Sequence, residues 1–345
     1  MTTARVLIVD DSLTMRALFS GVLERARGIE VVGMAANADE AREMMIRLRP
    51  SVITLDVEMP GMSGLEFLEE IMRERPTPVV MLSTLTQKGA ETSFRALELG
   101  AIDCFPKPKS ATPDEFNALA PKLAALVIAA SNGGVKQVKP IRHATEASYD
   151  WNGKVVAMSA SVGGVDAALN MLPTFPKNCP PTVLLLQIEP GFVDPLVKRL
   201  KASCAAQVAL AEDDQPLVQG TIYLVTDPSS HAAMSRWPNP TLRLLKSDPI
   251  NGARPSASLL FATMAKTAGA NAVGVVLTGM GTDGAAGLKA LRAAGGFTMA
   301  QDSASSAVHE APAAACAAGG VERELPLSEI GVVALETCRR IADAA

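Results

Sequence analysis

Short apolar runs recur along this chain, and nearly every one is followed by a stretch with a helical apolar period. In the first 130 residues the runs fall at 5–9, 31–35, 52–55, 78–82 and 101–105. The helical patterns fall at 14–25, 38–49, 64–73, 90–99 and 113–130. Strands alternating with helices pair as a parallel sheet covered on both faces, so this half is constrained to a doubly wound α/β fold. The alternation resumes after residue 153, with runs at 155–159, 183–188, 207–211, 221–225, 242–246, 272–278 and 297–301. Helical patterns there cover 163–172, 193–203, 257–268, 285–294 and 330–342. They predict a second α/β domain, mostly parallel, with a short antiparallel insertion near 221–246. Between the two, residues 131–152 carry Ser131-Asn132-Gly133-Gly134, several lysines and Pro140 but no apolar period. That composition predicts an exposed linker. The expected organisation is therefore a domain over 1–130, a linker over 131–152 and a second domain over 153–345.

Composition narrows the function classes. With 345 residues, 48% of them hydrophobic but only 4% aromatic, the chain can build two cores, mainly from aliphatic side chains. A net charge of −4, with no basic stripe interleaved with aromatics, argues against a nucleic-acid surface. The first run begins almost at once, which leaves no room for a signal peptide. The longest apolar runs are far short of the about 20 residues that cross a bilayer. Five scattered cysteines without a Cys-x-x-Cys pair suit a reduced, cytoplasmic protein and make a zinc site improbable.

The ends of the runs in the first domain carry the chemistry. Asp10 and Asp11 end the first run, Asp56 the third and Ser83 the fourth, and Lys107 follows the fifth. A parallel sheet brings all of them to its carboxyl edge, where such folds bind ligands. Converging carboxylates repel one another, and a hard cation such as Mg²⁺ relieves this. A nearby lysine and hydroxyl suit a phosphoryl group. The set resembles the response-regulator receiver domain, which has a flavodoxin-like fold. The resemblance implies that Asp56 is the phosphoacceptor and that Asp11, Asp56 and the backbone carbonyl of Glu58 bind Mg²⁺, with Asp10 assisting. It also implies that Ser83 is the switch hydroxyl and Lys107 the phosphate-contacting cation. The loop Met59-Pro60-Gly61-Met62-Ser63-Gly64 is family-like too. One position departs: Cys104 stands where a mobile aromatic is usual, and the neighbouring Phe105 is either a substitute or core.

In the second domain, Lys154-Val155-Val156-Ala157-Met158-Ser159-Ala160-Ser161-Val162-Gly163-Gly164 reads as a strand, a sharp turn and a helix start. A serine on such a turn is held exposed beside helix-terminal N–H groups, where acyl transfer can occur. Together with Arg254-Pro255-Ser256 and Leu277-Thr278-Gly279-Met280-Gly281-Thr282-Asp283-Gly284, this segment resembles the chemotaxis protein-glutamate methylesterases (CheB), which have the same domain order. The resemblance extends over most of 153–335, including Pro190-Gly191-Phe192 and Ala300-Gln301-Asp302. It implies hydrolysis of receptor glutamyl methyl esters and deamidation of receptor glutamines through an acyl-serine, with Ser161 as nucleophile and Asp283 as the carboxylate that orients a histidine. No cofactor is implied there.

The histidine is what this sequence lacks. Its place after the strand is taken by Ile188, in a turn Gln187-Ile188-Glu189-Pro190 about one residue shorter than the family's. Ser159, Gly252-Ala253 and Ser258 depart from the family pattern nearby. The chain has three histidines. His231 is the first candidate for a replacement base and His309 the second, although a locally satisfied polar histidine is the commoner role. His143 lies in the linker. Glu189 neighbours the lost position, but successive side chains there point apart. Losing the base of a serine triad costs on the order of 10⁴- to 10⁶-fold in rate, or about 5–8 kcal/mol. The sequence thus predicts a phosphorylation-regulated chemotaxis-type protein with weakened or lost catalysis. The alternative is an active methylesterase and deamidase using Ser161, Asp283 and an unusual base. A histidine kinase as phosphodonor and a chemoreceptor or other signalling protein are the expected partners, without nucleic acid or membrane insertion.

Overall fold

The computed structural model describes residues 3–84, 87–108, 113–133 and 149–340. They fall into two compact units that part between Gly133 and Tyr149. The first unit contains β1 (Ala4–Val9), α1 (Leu13–Leu23), β2 (Ile29–Ala35), α2 (Ala38–Leu48), β3 (Val52–Asp56), α3 (Gly64–Glu74), β4 (Val79–Ser83), α4 (Gln87–Glu98), β5 (Asp103–Pro106) and α5 (Pro113–Gly133). Its sheet has the order β2-β1-β3-β4-β5 with every pair parallel, the flavodoxin-like arrangement. The three central strands are sealed on both faces, as the continuous runs Val6–Val9, Val52–Leu55 and Val79–Leu82 require. Pro106 is tolerated because β5 is an edge strand. Helix α3 shows how local chemistry fixes an element. Ser63 and Glu66 form a reciprocal capping box, and Gly64, Phe67, Leu68 and Ile71 present one apolar face that is buried.

The second unit contains β6 (Val155–Ala160), α6 (Gly164–Met171), β7 (Thr182–Leu186), α7 (Val193–Ser203), β8 (Gln207–Leu210), β9 (Gln215–Pro216), β10 (Thr221–Val225), β11 (His231–Ser235) and β12 (Thr241–Leu245). It continues with α8 (Ala257–Thr267), β13 (Ala272–Val276), α9 (Ala285–Ala293), β14 (Phe297–Gln301), α10 (Glu310–Ala317), β15 (Arg323–Leu325) and α11 (Leu327–Thr337). Seven strands form a parallel sheet in the order β15-β14-β13-β6-β7-β10-β8. The chain winds outward from β6 in one direction through β7, and later in the other through β13 and β14. The crevice at the carboxyl ends of β6, β7 and β13 is therefore the topological switch point.

Several features differ from the sequence reading. The antiparallel insertion is β9, β11 and β12. The run 221–225 belongs to the main sheet instead, where its five buried residues pair with β7 and β8. The expected linker is structured at both ends: α5 runs to Gly133, and Tyr149–Asn152 is tied to the second unit. There the Tyr149 hydroxyl donates to the Leu335 carbonyl at 2.7 Å and Asn152 Nδ2 to that of Thr337 at 3.0 Å. Residues 134–148, with Pro140 and His143, lie outside the described residues. Finally, α11 ends at Thr337 rather than running to 342. Arg339 then pairs as a β-bridge with Trp151, and residues beyond 340 lie outside the described set.

Candidate functional sites: an acidic sheet edge and a serine turn

In the first unit, Asp10, Asp11 and Asp56 each bring a carboxylate oxygen within 4.8 Å of the others. Asp10 and Asp56 are buried and Asp11 is exposed. Lys107 Nζ lies 2.7 Å from Asp10 Oδ2 and 2.6 Å from Asp56 Oδ2. Burial pushes the Asp56 carboxyl up to about 6, with Lys107 pulling it back down and Asp10 adding to the rise. Asp10 Oδ2 is buried, and beyond the lysine charge it has no hydrogen-bond partner. Three carboxylates against one ammonium leave a net negative, oxygen-lined site, and that donor set fits a hard divalent cation. Glu58 contributes its N–H to Asp56 Oδ1 at 3.2 Å.

Ser83 is at the same edge, with its carbonyl accepting from Lys107 N at 2.7 Å. Its hydroxyl is turned away toward α4, donating to the carbonyls of Gly89 at 3.1 Å and Thr84 at 3.3 Å. Phe105 is buried on β5. The Cys104 thiol donates to the Ser93 carbonyl at 3.4 Å, and burial pushes it well above the ordinary thiol range.

In the second unit, Ser161 sits between β6 and α6. The turn closes through Gly163 at φ 74°, a left-handed conformation that glycine adopts without strain. Ser161 N donates to the Thr278 carbonyl at 3.1 Å, which ties the turn to the end of β13. Gly279 packs so closely that a Cβ there would collide with Ser161 Oγ. Below them, Thr278 N donates to the side-chain oxygen of buried Gln301 at 2.9 Å. Thr278 Oγ1 links Val162 and Val308. Sequence reasoning gave Gln301 no such role. Its signal was the Ala300-Gln301-Asp302 segment, a lone amide closing an apolar strand.

Ser161 Oγ makes one hydrogen bond among the described residues, and it accepts it, from Met280 N at 2.9 Å. Ser161, Asp283, Met280 and Gln187 share a cavity of about 30 Å³ with room for little more than water. Gln187, Met280 and Asp283 also line a groove of about 830 Å³. Ile188 lines neither.

Asp283 is engaged elsewhere. It accepts from Ser256 Oγ at 2.9 Å, Ala257 N at 2.6 Å and Ser258 N at 3.1 Å. It thereby caps the N-terminus of α8 from across the site, where partial positive charge favours a carboxylate. Ser256 is the N-cap of that helix, with its side chain accepting from Leu259 N at 3.4 Å. The signal was there in Arg254-Pro255-Ser256, a serine placed just before a helical run.

His231 is fully buried, and both ring nitrogens are occupied. Ser256 N donates to Nδ1 at 3.1 Å, so the proton belongs on Nε2, which donates to the Asp248 carbonyl at 3.0 Å. His231 therefore pins the loop before α8 and has no nitrogen left for Ser161. His309 is the N-cap residue of α10, and its Nε2 pairs with Glu324 Oε1 at 3.0 Å. It lines neither cavity. Neither histidine is placed as a replacement base.

Comparison with known proteins agrees with this two-unit architecture. A family model for the response regulator receiver domain matches residues 6–116, and one for the CheB methylesterase matches residues 156–333. A protein-glutamate methylesterase/protein-glutamine glutaminase of Agrobacterium fabrum is 45% identical over 344 residues, covering 98% of each chain. A second, from Caulobacter vibrioides, is 45% identical over 348 residues, covering 99% of this chain and all of its own. The Thermotoga maritima CheB methylesterase catalytic domain matches 54% of this chain and 98% of its own, at 29% identity and a TM-score of 0.51. No described helix is long and apolar enough to cross a membrane. The chain belongs to the CheB methylesterase family, with a response-regulator receiver domain ahead of a methylesterase-type α/β domain.

Proposed function

We propose that this protein is a phosphorylation-regulated chemotaxis-type regulator whose effector domain has weakened or lost ester hydrolysis. The input is Asp56. Its carboxylate attacks the phosphorus of a phosphohistidine on a two-component kinase, and the imidazole of the kinase leaves. Asp11, Asp56 and the carbonyl of Glu58, assisted by Asp10, would hold Mg²⁺, which supplies charge neutralisation between the acceptor and the phosphoryl oxygens. Lys107 stabilises the added phosphoryl charge. Ser83 leaves Gly89 and Thr84 to meet it. The proposed output is engagement of a chemoreceptor or other signalling protein in the cytoplasm, without nucleic acid.

The observation that carries the reading is Ser161 Oγ. Among the described residues its one hydrogen bond is donated by Met280 N, Ile188, where the resemblance expects the base, lines neither cavity, and His231 is committed on both nitrogens. A serine without a proton acceptor is a weak nucleophile. The second reading, an active methylesterase and deamidase, is favoured by what the relatives at 45% identity are called. It requires a base brought to Ser161 from elsewhere.

A fluorophosphonate probe separates the two, because it labels activated serines. Peptide mass spectrometry should find Ser161 labelled no faster than exposed serines of the same chain. Rapid labelling that disappears in Ser161→Ala would establish the second reading.

A further inference from the structure

We infer that the groove beside Ser161 selects a free glutamyl carboxylate over its methyl ester or amide, so that the effector domain recognises receptor segments in their unmethylated form. This rests on the proposed loss of hydrolysis and names the ligand of the same site. Arg254 is held rigidly at the groove by two neutral acceptors, the carbonyls of Pro228 at 2.7 Å and Ser247 at 3.1 Å. Among the described residues no carboxylate neutralises it. Lys289 lines the groove from α9, is exposed, and also has no carboxylate partner among the described residues. The one carboxylate lining the groove, Asp283, is occupied by three donors from α8.

Gly252 and Ala253 line one wall of the groove and leave it almost without side chains. The resulting space of about 830 Å³ is large enough for part of a peptide. In the small cavity that shares Gln187, Met280 and Asp283 with this groove, the Ser161 hydroxyl accepts from Met280 N and donates to no acceptor among the described residues. Two cations on the groove wall without a carboxylate partner among the described residues, with a donor hydroxyl in the adjoining cavity, suit an ionised carboxylate, which accepts more strongly than an ester or amide carbonyl.

The test uses the full chain, with and without acetyl phosphate and Mg²⁺. Fluorescence anisotropy would be read on three otherwise identical peptides carrying glutamate, glutamine or glutamate γ-methyl ester at the centre. The glutamate peptide should bind about five- to tenfold more tightly than the other two. The gap should shrink at about 0.5 M salt and close in Lys289→Glu, an exposed position on α9. Equal binding of the three peptides, tighter binding of the ester, no binding under either condition, or an unchanged gap in Lys289→Glu would each overturn the inference. Methanol release from the ester peptide would instead sink the proposed loss of hydrolysis, leaving the glutamate–glutamine comparison to judge this inference alone.

Discussion

Two carboxyl edges of two parallel sheets carry the chemistry here, and they have fared differently. At the first, Asp10, Asp11, Asp56 and Lys107 converge, the cation already touches two of the carboxylates, and Ser83 sits at the same edge with its hydroxyl turned to α4. At the second, the serine turn, its glycines and the facing carboxylate are all built, yet among the described residues Ser161 has no acceptor for its proton. The groups at the second edge bond to structure instead: Asp283 caps α8, and His231 holds the residue that helps cap it. A carboxylate that caps a helix costs stability to remove whether or not it also serves a reaction. Presence of Ser161 and Asp283 is thus weak evidence of turnover. The hydrogen bonds they make are stronger evidence.

The largest effect that could sharpen this contrast is at the first edge. Asp56→Asn should abolish labelling by a phosphodonor entirely, measured with radiolabelled acetyl phosphate or kinase. Persistent labelling would move the acceptor elsewhere. The second edge should respond to a base only where the base can reach. Gln187 lines the cavity with Ser161, whereas Ile188 does not. Gln187→His should therefore raise methanol release by about 10- to 100-fold over the parent, and Ile188→His should leave it near background. The reverse ranking would break the assignment of the shortened turn.

His231 distinguishes a structural from a catalytic histidine. His231→Ala strands Ser256 N and the Asp248 carbonyl, and should lower unfolding stability by about 2–4 kcal/mol in urea. Its Ser161 labelling rate should match the parent's. A slower rate with intact folding would return His231 to the base role.

The smallest effect is in pH. The folded Asp56 carboxyl sits at about 6 against the usual 3.8, because burial disfavours its charge. The metal-free fold therefore prefers the protonated form. This contribution to stability is complete below about pH 4 and is lost as pH rises through 6. Thermal melts of Asp56→Asn and parent should diverge as pH rises from 4 to 7, with the variant the more stable. Mg²⁺ should narrow the difference. A divergence of opposite sign would show that Lys107 outweighs burial.

Most of this was legible in the residues. Continuous aliphatic runs with helical patterns between them marked both parallel sheets, and strand-end aspartates marked the first edge. What escaped was carried by weak local signals. β11, reading His-Ala-Ala-Met-Ser, has little strand propensity and forms because β12 pairs with it. β15 has three residues, two of them charged, and α10 has almost no amphipathic contrast in Glu-Ala-Pro-Ala-Ala-Ala-Cys-Ala. The absence of the histidine at 188 was plain in the sequence. That His231 could not replace it was not, because its commitment depends on Ser256 and Asp248, 25 and 17 residues away. Likewise, spacing alone could not show that Gln187 rather than Ile188 lines the cavity with the serine.

The most direct measurement is methanol release from a methylated receptor by the phosphorylated full-length protein, run beside Ser161→Ala. The two rates should coincide at background. A parent rate about 10⁴-fold or more above Ser161→Ala, the scale of an intact serine triad, would contradict the proposed loss of hydrolysis.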